Sequence, residues 1–237
     1  MNRIRHDWSQ APGSLKLESS FVEAPPHSLR YASALKRGDH LVLFYDNLVV
    51  AAEYISAFVD AAVEREEPTC FVGLSRRQYE SMLDQVGIKV GELESGGYLR
   101  HMSIGDFYPQ HQTFSRDTML ESIEKFLTIA ATSGSKAVRF IIMNSPSDLR
   151  ISVPNIIERE RALENLQQYP MCVMCCFPGR MAIVDEPKPY FFLKLLKSHN
   201  HCLLQGVGIS TQDLISKFAS APTLRAEASN NQILSDQ

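Results

Sequence analysis

The sequence predicts an α/β fold: a three-layer, doubly wound, mainly parallel sheet with helices on both faces. Two observations carry that expectation. Short runs that are apolar throughout recur along the chain, as buried parallel strands require. Amphipathic stretches of helical period separate them, as crossover helices do.

The first run is His40-Leu-Val-Leu-Phe-Tyr45. Asn47 then caps a helix whose apolar positions include Val50, Ile55, Phe58, Val59, Ala62 and Val63. Thr69–Val72 is the second strand, and Gly73 permits a tight exit from it. Ser75 caps a second helix that stops at Gly87. Tyr98–Ile104 is a third, less apolar strand, followed by an aromatic loop over Gly105–Ser115. Asp117–Ser133 reads as a helix ended by Gly134, and Ala137–Met143 as a central strand. Pro154 opens the next helix, which carries Glu158-Arg-Glu-Arg161 and runs to about residue 168. Met171–Phe177 is the most apolar strand. A helix opened by Pro187 and Pro189, a short strand His201–Gln205 and a helix capped by Ser210-x-x-Asp213 complete the pattern. Residues 1–36 read as an irregular arm with a short helix near Ser28–Leu35, 37–219 as the folded domain, and 220–237 as a disordered tail.

The 237 residues suffice for one sizeable core, and a net charge of −3 gives no basic excess for nucleic acid or an anionic membrane. No apolar run approaches the roughly 18–20 residues of a membrane helix, and no apolar stretch follows the charged N-terminus. The five cysteines all lie in apolar segments and are odd in number. They fit reduced, buried thiols of a cytoplasmic protein better than a disulfide framework.

Ligands of parallel sheets gather at the C-terminal edge of the strands. The loops there supply the candidate ligand-binding residues: His40, Tyr45 and Asp46 on the first strand and its turn, Asn144, Asp148 and Arg150 after the central strand, and Phe177 and Arg180 after the Cys-rich one. A phosphate-binding loop is missing. It needs glycines for backbone approach, a lysine, and a hydroxyl for Mg²⁺, whereas the first strand continues FYDNLVVAAE. The central strand ends in neutral Asn144, where a Mg²⁺-holding carboxylate would be expected. Gly73-Leu-Ser-Arg-Arg reads as an ordinary strand–helix turn.

No catalytic residue, metal site or cofactor is expected. Cys172 and Cys175 are three apart in a strand, so they face opposite sides and cannot chelate one ion without a bend. His199 and His201, with His40 as the nearest candidate by type, fall short of a full ligand set. Glu158–Arg161 reads as a solvated charged face. Phe107, Tyr108 and Phe114 of the aromatic loop either cover a ligand or pack back on the domain.

His40–Asp46, the helix ending in Phe58-Val59 and the strand CFVGL together resemble the MEDS domain, the sensory domain of methanogen and methylotroph regulators, which include the dichloromethane-metabolism repressor. Glu160 with Leu163, Cys176-Phe177, and His199 with Gly206 resemble the family's later motifs. Phe177 stands where a tyrosine is usual and Asn200 where a proline is usual. The resemblance covers about residues 38–209. It implies a fold related to RecA- and KaiC-type ATPases without their nucleotide motifs, and a role in signal sensing. The resulting expectation is a stand-alone sensory or regulatory domain that binds a small ligand or a signalling partner, or self-associates, without ATP hydrolysis, and without direct nucleic-acid or membrane contact. The alternative is a noncanonical nucleotide-binding protein or enzyme that uses the charged loops.

Overall fold

Seven strands form one sheet in the order β3-β2-β4-β5-β1-β6-β7. The computed structural model describes residues 26–107, 115–144, 153–164, 169–179, 188–204 and 207–220. In chain order the elements are α1 (Pro26–Ala34), β1 (His40–Tyr45), α2 (Leu48–Glu64), β2 (Thr69–Val72), α3 (Arg76–Gln85), α4 (Val90–Ser95), β3 (Leu99–Met102) and α5 (Ile104–Phe107). They continue with α6 (Arg116–Thr132), β4 (Val138–Met143), α7 (Val153–Glu164), β5 (Met171–Pro178), α8 (Lys188–Lys197), β6 (His201–Leu204), β7 (Val207–Ser210) and α9 (Thr211–Ser220).

Every strand pair is parallel except β6 with β7. The doubly wound α/β class is therefore present, with one antiparallel edge strand. Strand alternation divides the core into two layers. Leu41, Leu43, Phe71, Ile141, Met174 and Cys176 face α1 to α4. Val42, Phe44, Phe140, Ile142, Val173, Cys175 and Phe177 face α6 to α8. Cys172 and Cys175 do lie in opposite layers.

Local signals set the helix starts. The Asn47 side chain accepts the Val50 N–H at 2.9 Å. Ser75 and Gln78 form a reciprocal capping box on α3. The Ser210 hydroxyl accepts the Asp213 N–H at 3.1 Å. Gly73 turns the chain out of β2 at φ +100°, and a Cβ there would stand 2.3 Å from the Met143 carbonyl oxygen, so only glycine fits. β7 has no counterpart in the sequence pattern. Part of the aromatic loop is the short helix α5, whose Phe107 is buried against Phe140 in the core; Tyr108 and Phe114 lie outside the described residues.

The reading of Glu158–Arg161 as a solvated face holds for half of it. Glu158 and Arg161 are exposed, but Arg159 and Glu160 are buried. Helical spacing explains the difference, because Ile156, Glu160 and Leu163 share one face of α7 and that face lies on the sheet.

Candidate functional site

At the C-terminal edge, Tyr45, Asn144 and Phe177 end three adjacent strands, with β5 between β1 and β4. All three side chains are buried. The Tyr45 hydroxyl reaches across β5 and donates to the Asn144 carbonyl at 2.9 Å. The Asn144 side-chain amide donates to the Cys176 carbonyl at 2.9 Å, as its backbone N–H does at 3.0 Å. Phe177 packs edge-on to Phe191 and tilted on Phe44, and the Arg159 guanidinium lies 5.9 Å from its ring centre. Asp46 is exposed beside Gly179, where a Cβ would fall 2.6 Å from the Asp46 carboxylate. Asp148, Arg150 and Arg180 lie outside the described residues.

This geometry closes the place where a phosphate loop would stand. At the start of α2 the Asn47 side chain takes up the Val50 N–H, one of the free donors an anion would use, and Asp46 precedes it as a negative charge. The end of β4 is tied to β1 and β5 by the Tyr45–Asn144–Cys176 bonds.

A different group of polar side chains lies under α7 and α8, in the layer between these helices and the sheet. His40 opens β1, Cys175 sits in β5, Glu160 points in from α7, and His199 lies between α8 and β6. All four are buried, and one donor atom from each falls within 4.8 Å of every other. His40 Nε2 stands 3.4 Å from Cys175 Sγ and 3.7 Å from Glu160 Oε2. His199 Nε2 stands 3.5 Å from the same carboxylate oxygen. The two imidazole rings have centres 3.8 Å apart and are tilted by 33° to one another.

The surroundings fix the state of each group. His199 Nδ1 is 2.6 Å from the Leu195 carbonyl. A carbonyl only accepts, so Nδ1 carries the proton and Nε2 presents a lone pair to the cluster. Arg159 holds the other oxygen of Glu160, with Nε donating to Oε1 at 2.9 Å. Burial pushes the His40 pKa well down, and the neighbouring His199 and Arg159 add to this. Burial also lowers that of His199, against the pull of Glu160. The Cys175 thiol is pushed well up by burial and by the charge of Glu160. Two neutral imidazoles, the carboxyl group of Glu160 and a thiol therefore meet in the buried core. Such a donor set suits borderline divalent metals.

Asn200, at the position where proline is usual in the resembling family, clamps the start of β1. The His40 N–H donates to Asn200 Oδ1 at 2.7 Å, and the Asn200 N–H donates to the His40 carbonyl at 3.0 Å. The second bond needs an N–H that proline lacks.

Of the residues expected at the strand edge, His40 belongs to this buried group, 5 residues from Tyr45 at the opposite end of β1. His201, weighed beside His199, points elsewhere: its ring pairs with Asp39 at 3.2 Å and with the Tyr31 hydroxyl at 2.5 Å. Glu160 and Cys175 are not among the ligand-binding residues expected from the sequence. The sequence held a signal for Glu160, namely a carboxylate on the apolar stripe Ile156–Glu160–Leu163. It held one for Cys175 as well: Val173, Cys175 and Phe177 share a face in β5, whereas Cys176 faces the other layer.

A family model described as the methanogen/methylotroph, DcmR sensory domain (MEDS) matches residues 39–200. That match includes all four residues of the buried cluster. Among curated proteins no relative matches the chain. Among solved structures, a KaiC-like protein from the hyperthermophilic archaeon Pyrococcus horikoshii is similar with a TM-score of 0.45 and 15% identity, over 70% of each chain. No helix among the described residues is long and apolar enough to cross a membrane.

Proposed function

We propose a function from the premise that the chain belongs to the MEDS family, the methanogen/methylotroph, DcmR sensory domains. The family suggests a sensory or regulatory role. The finer reading is that this domain answers its signal by binding, without nucleotide hydrolysis, and passes the result to a signalling partner or a second copy of itself.

The Tyr45–Asn144 hydrogen bond across β5 carries this reading. Hydrolysis on a parallel sheet needs backbone donors for phosphate after one strand and a carboxylate for Mg²⁺ after another. Here those two strand ends are joined to each other, and the adjacent helix start is capped by its own Asn47 side chain. The binding event is thereby separated from turnover.

Phosphate release from Mg²⁺-ATP tests it. The expected result is no release above buffer at any protein concentration. Turnover that rises with protein and is lost in Asp46→Ala would overturn the reading, because it would place working chemistry at the first strand turn.

A further inference from the structure

We infer that His40, Glu160, Cys175 and His199 form a four-ligand site for a divalent transition metal ion with the coordination chemistry of zinc. This goes beyond the non-hydrolytic reading above and does not depend on it.

A tetrahedral ion bound at about 2.0–2.2 Å to nitrogen and oxygen and at about 2.3 Å to sulfur separates its ligands by about 3.4–3.6 Å. The cluster shows 3.4 Å for His40 Nε2 to Cys175 Sγ, 3.5 Å for His199 Nε2 to Glu160 Oε2, and 3.7 Å for His40 Nε2 to Glu160 Oε2. Three of the six edges of the donor set thus lie at or within about 0.1 Å of tetrahedral spacing, and all six are within 4.8 Å, near enough to close on one ion.

Two atoms of the cluster have nothing to bond. Glu160 Oε2 and His199 Nε2 are both buried and neither has a hydrogen-bond partner. Since Leu195 fixes the His199 proton on Nδ1, the two atoms face each other as acceptor to acceptor. Leaving buried polar atoms unsatisfied costs about 1–3 kcal/mol each, and a cation between them removes that cost. The outer contacts are those that hold metal ligands in place: a backbone carbonyl on the far nitrogen of His199, and a guanidinium on the far oxygen of Glu160.

The donor types select the metal. One sulfur and two imidazoles disfavour Mg²⁺ and Ca²⁺, which take oxygen ligands. Four protein ligands around one buried point leave no position for water or substrate, so the site holds structure rather than performs hydrolysis. On binding, the Cys175 S–H bond breaks, an S–metal bond forms, and the proton leaves to buffer. The ion would join β1, β5, α7 and the α8–β6 junction, so metal occupancy would set how firmly α7 and α8 lie on the sheet.

The test uses the full chain without a polyhistidine tag. Metal content is measured by elemental analysis, the metal is removed with a chelator, and Co²⁺ is titrated into wild type, Cys175→Ser and Cys176→Ser. The expected result is about one zinc per chain. Co²⁺ should give the intense visible bands of a tetrahedral site and a near-ultraviolet thiolate band, the latter lost in Cys175→Ser and kept in Cys176→Ser. A metal-free protein with no Co²⁺ spectrum, a weak six-coordinate spectrum, or a thiolate band intact in Cys175→Ser would each overturn the inference, leaving a shared proton as the occupant. If the serine variants do not fold, wild type decides. A thiolate band with a melting temperature lowered by chelator supports the site, and absence of either overturns it. A zinc-bound protein that hydrolysed ATP would sink only the earlier reading, and a metal-free, inactive one only this inference.

Discussion

Arg139 shows what single residues contribute here. It sits in the central strand β4 and is fully buried. Its guanidinium pairs with Glu67 at 2.7 Å, donates to the carbonyls of Leu35 at 3.0 Å and Phe58 at 3.2 Å, and lies 4.5 Å from the Phe58 ring centre. One side chain thus ties the α1–β1 connection, α2 and the loop before β2 to the sheet. Removing one partner of a buried ion pair typically costs about 3–5 kcal/mol, because the other partners stay unsatisfied. Arg139→Met should lose about that much in urea unfolding, and adding Glu67→Gln should recover part of it. A loss under about 1 kcal/mol, the range of a surface pair, would show that the guanidinium does not hold these elements together. In the sequence Arg139 reads only as one polar letter in AVRFIIM. Its partners come from residues 35, 58 and 67, which no local pattern connects. Glu160 was hidden in the same way, behind the exposed neighbours Glu158 and Arg161.

At the scale of elements the sequence was more legible, because the interactions that start and stop helices are local. Asn47, Ser75 and Gly73 do what their residue types indicate. Their substitutions should differ in size. Asn47→Ala removes one cap bond from α2 and should cost about 1 kcal/mol. Gly73→Ala imposes a side chain at φ +100° and 2.3 Å from the Met143 carbonyl oxygen, and should cost clearly more than the roughly 1 kcal/mol of the lost cap. Chemical denaturation of both variants checks the order, and a smaller loss for Gly73→Ala would mean that β2 exits differently. β7 is illegible because Val207-Gly-Ile-Ser210 is only four residues long and is interrupted by a glycine. Gly208 is there for a contact distant in sequence: a Cβ on it would lie 2.5 Å from the Tyr31 ring. The strand is held by its antiparallel ladder with β6 and lies beside α1 at Gly208, contacts that a local pattern cannot report.

For the whole molecule, the alternation of apolar runs and amphipathic helices was enough to give the class, since parallel strands buried on both faces leave a plain mark in composition. The same double burial governs how the fold responds to alkali. Cys70, Cys172 and Cys202 are buried in different parts of the sheet, and burial pushes each thiol from its ordinary value of 9.0 up to about 12. Arg100 near Cys70, and Arg139 and Arg65 near Cys172, oppose this, while Asp39 and Glu67 reinforce it at Cys172. Above pH 9 the unfolded chain sheds these protons and the folded chain keeps them. The native state then binds more protons, so stability falls as pH rises. The contribution is fully present below pH 9 and lost progressively towards pH 12. Each thiol adds a slope of about 1.4 kcal/mol per pH unit, so the three together add about 4 kcal/mol per unit once the unfolded thiols are fully ionised. Urea unfolding at pH 8, 9 and 10 should therefore show a decline that steepens past pH 9. Cys70→Ala should reduce the slope between pH 10 and 11 by one thiol's share, measured against its own value at pH 8 so that any packing loss cancels. Stability unchanged from pH 8 to 10, or an identical slope in Cys70→Ala, would mean that these thiols ionise without unfolding and that the sheet is less sealed than its two apolar layers imply.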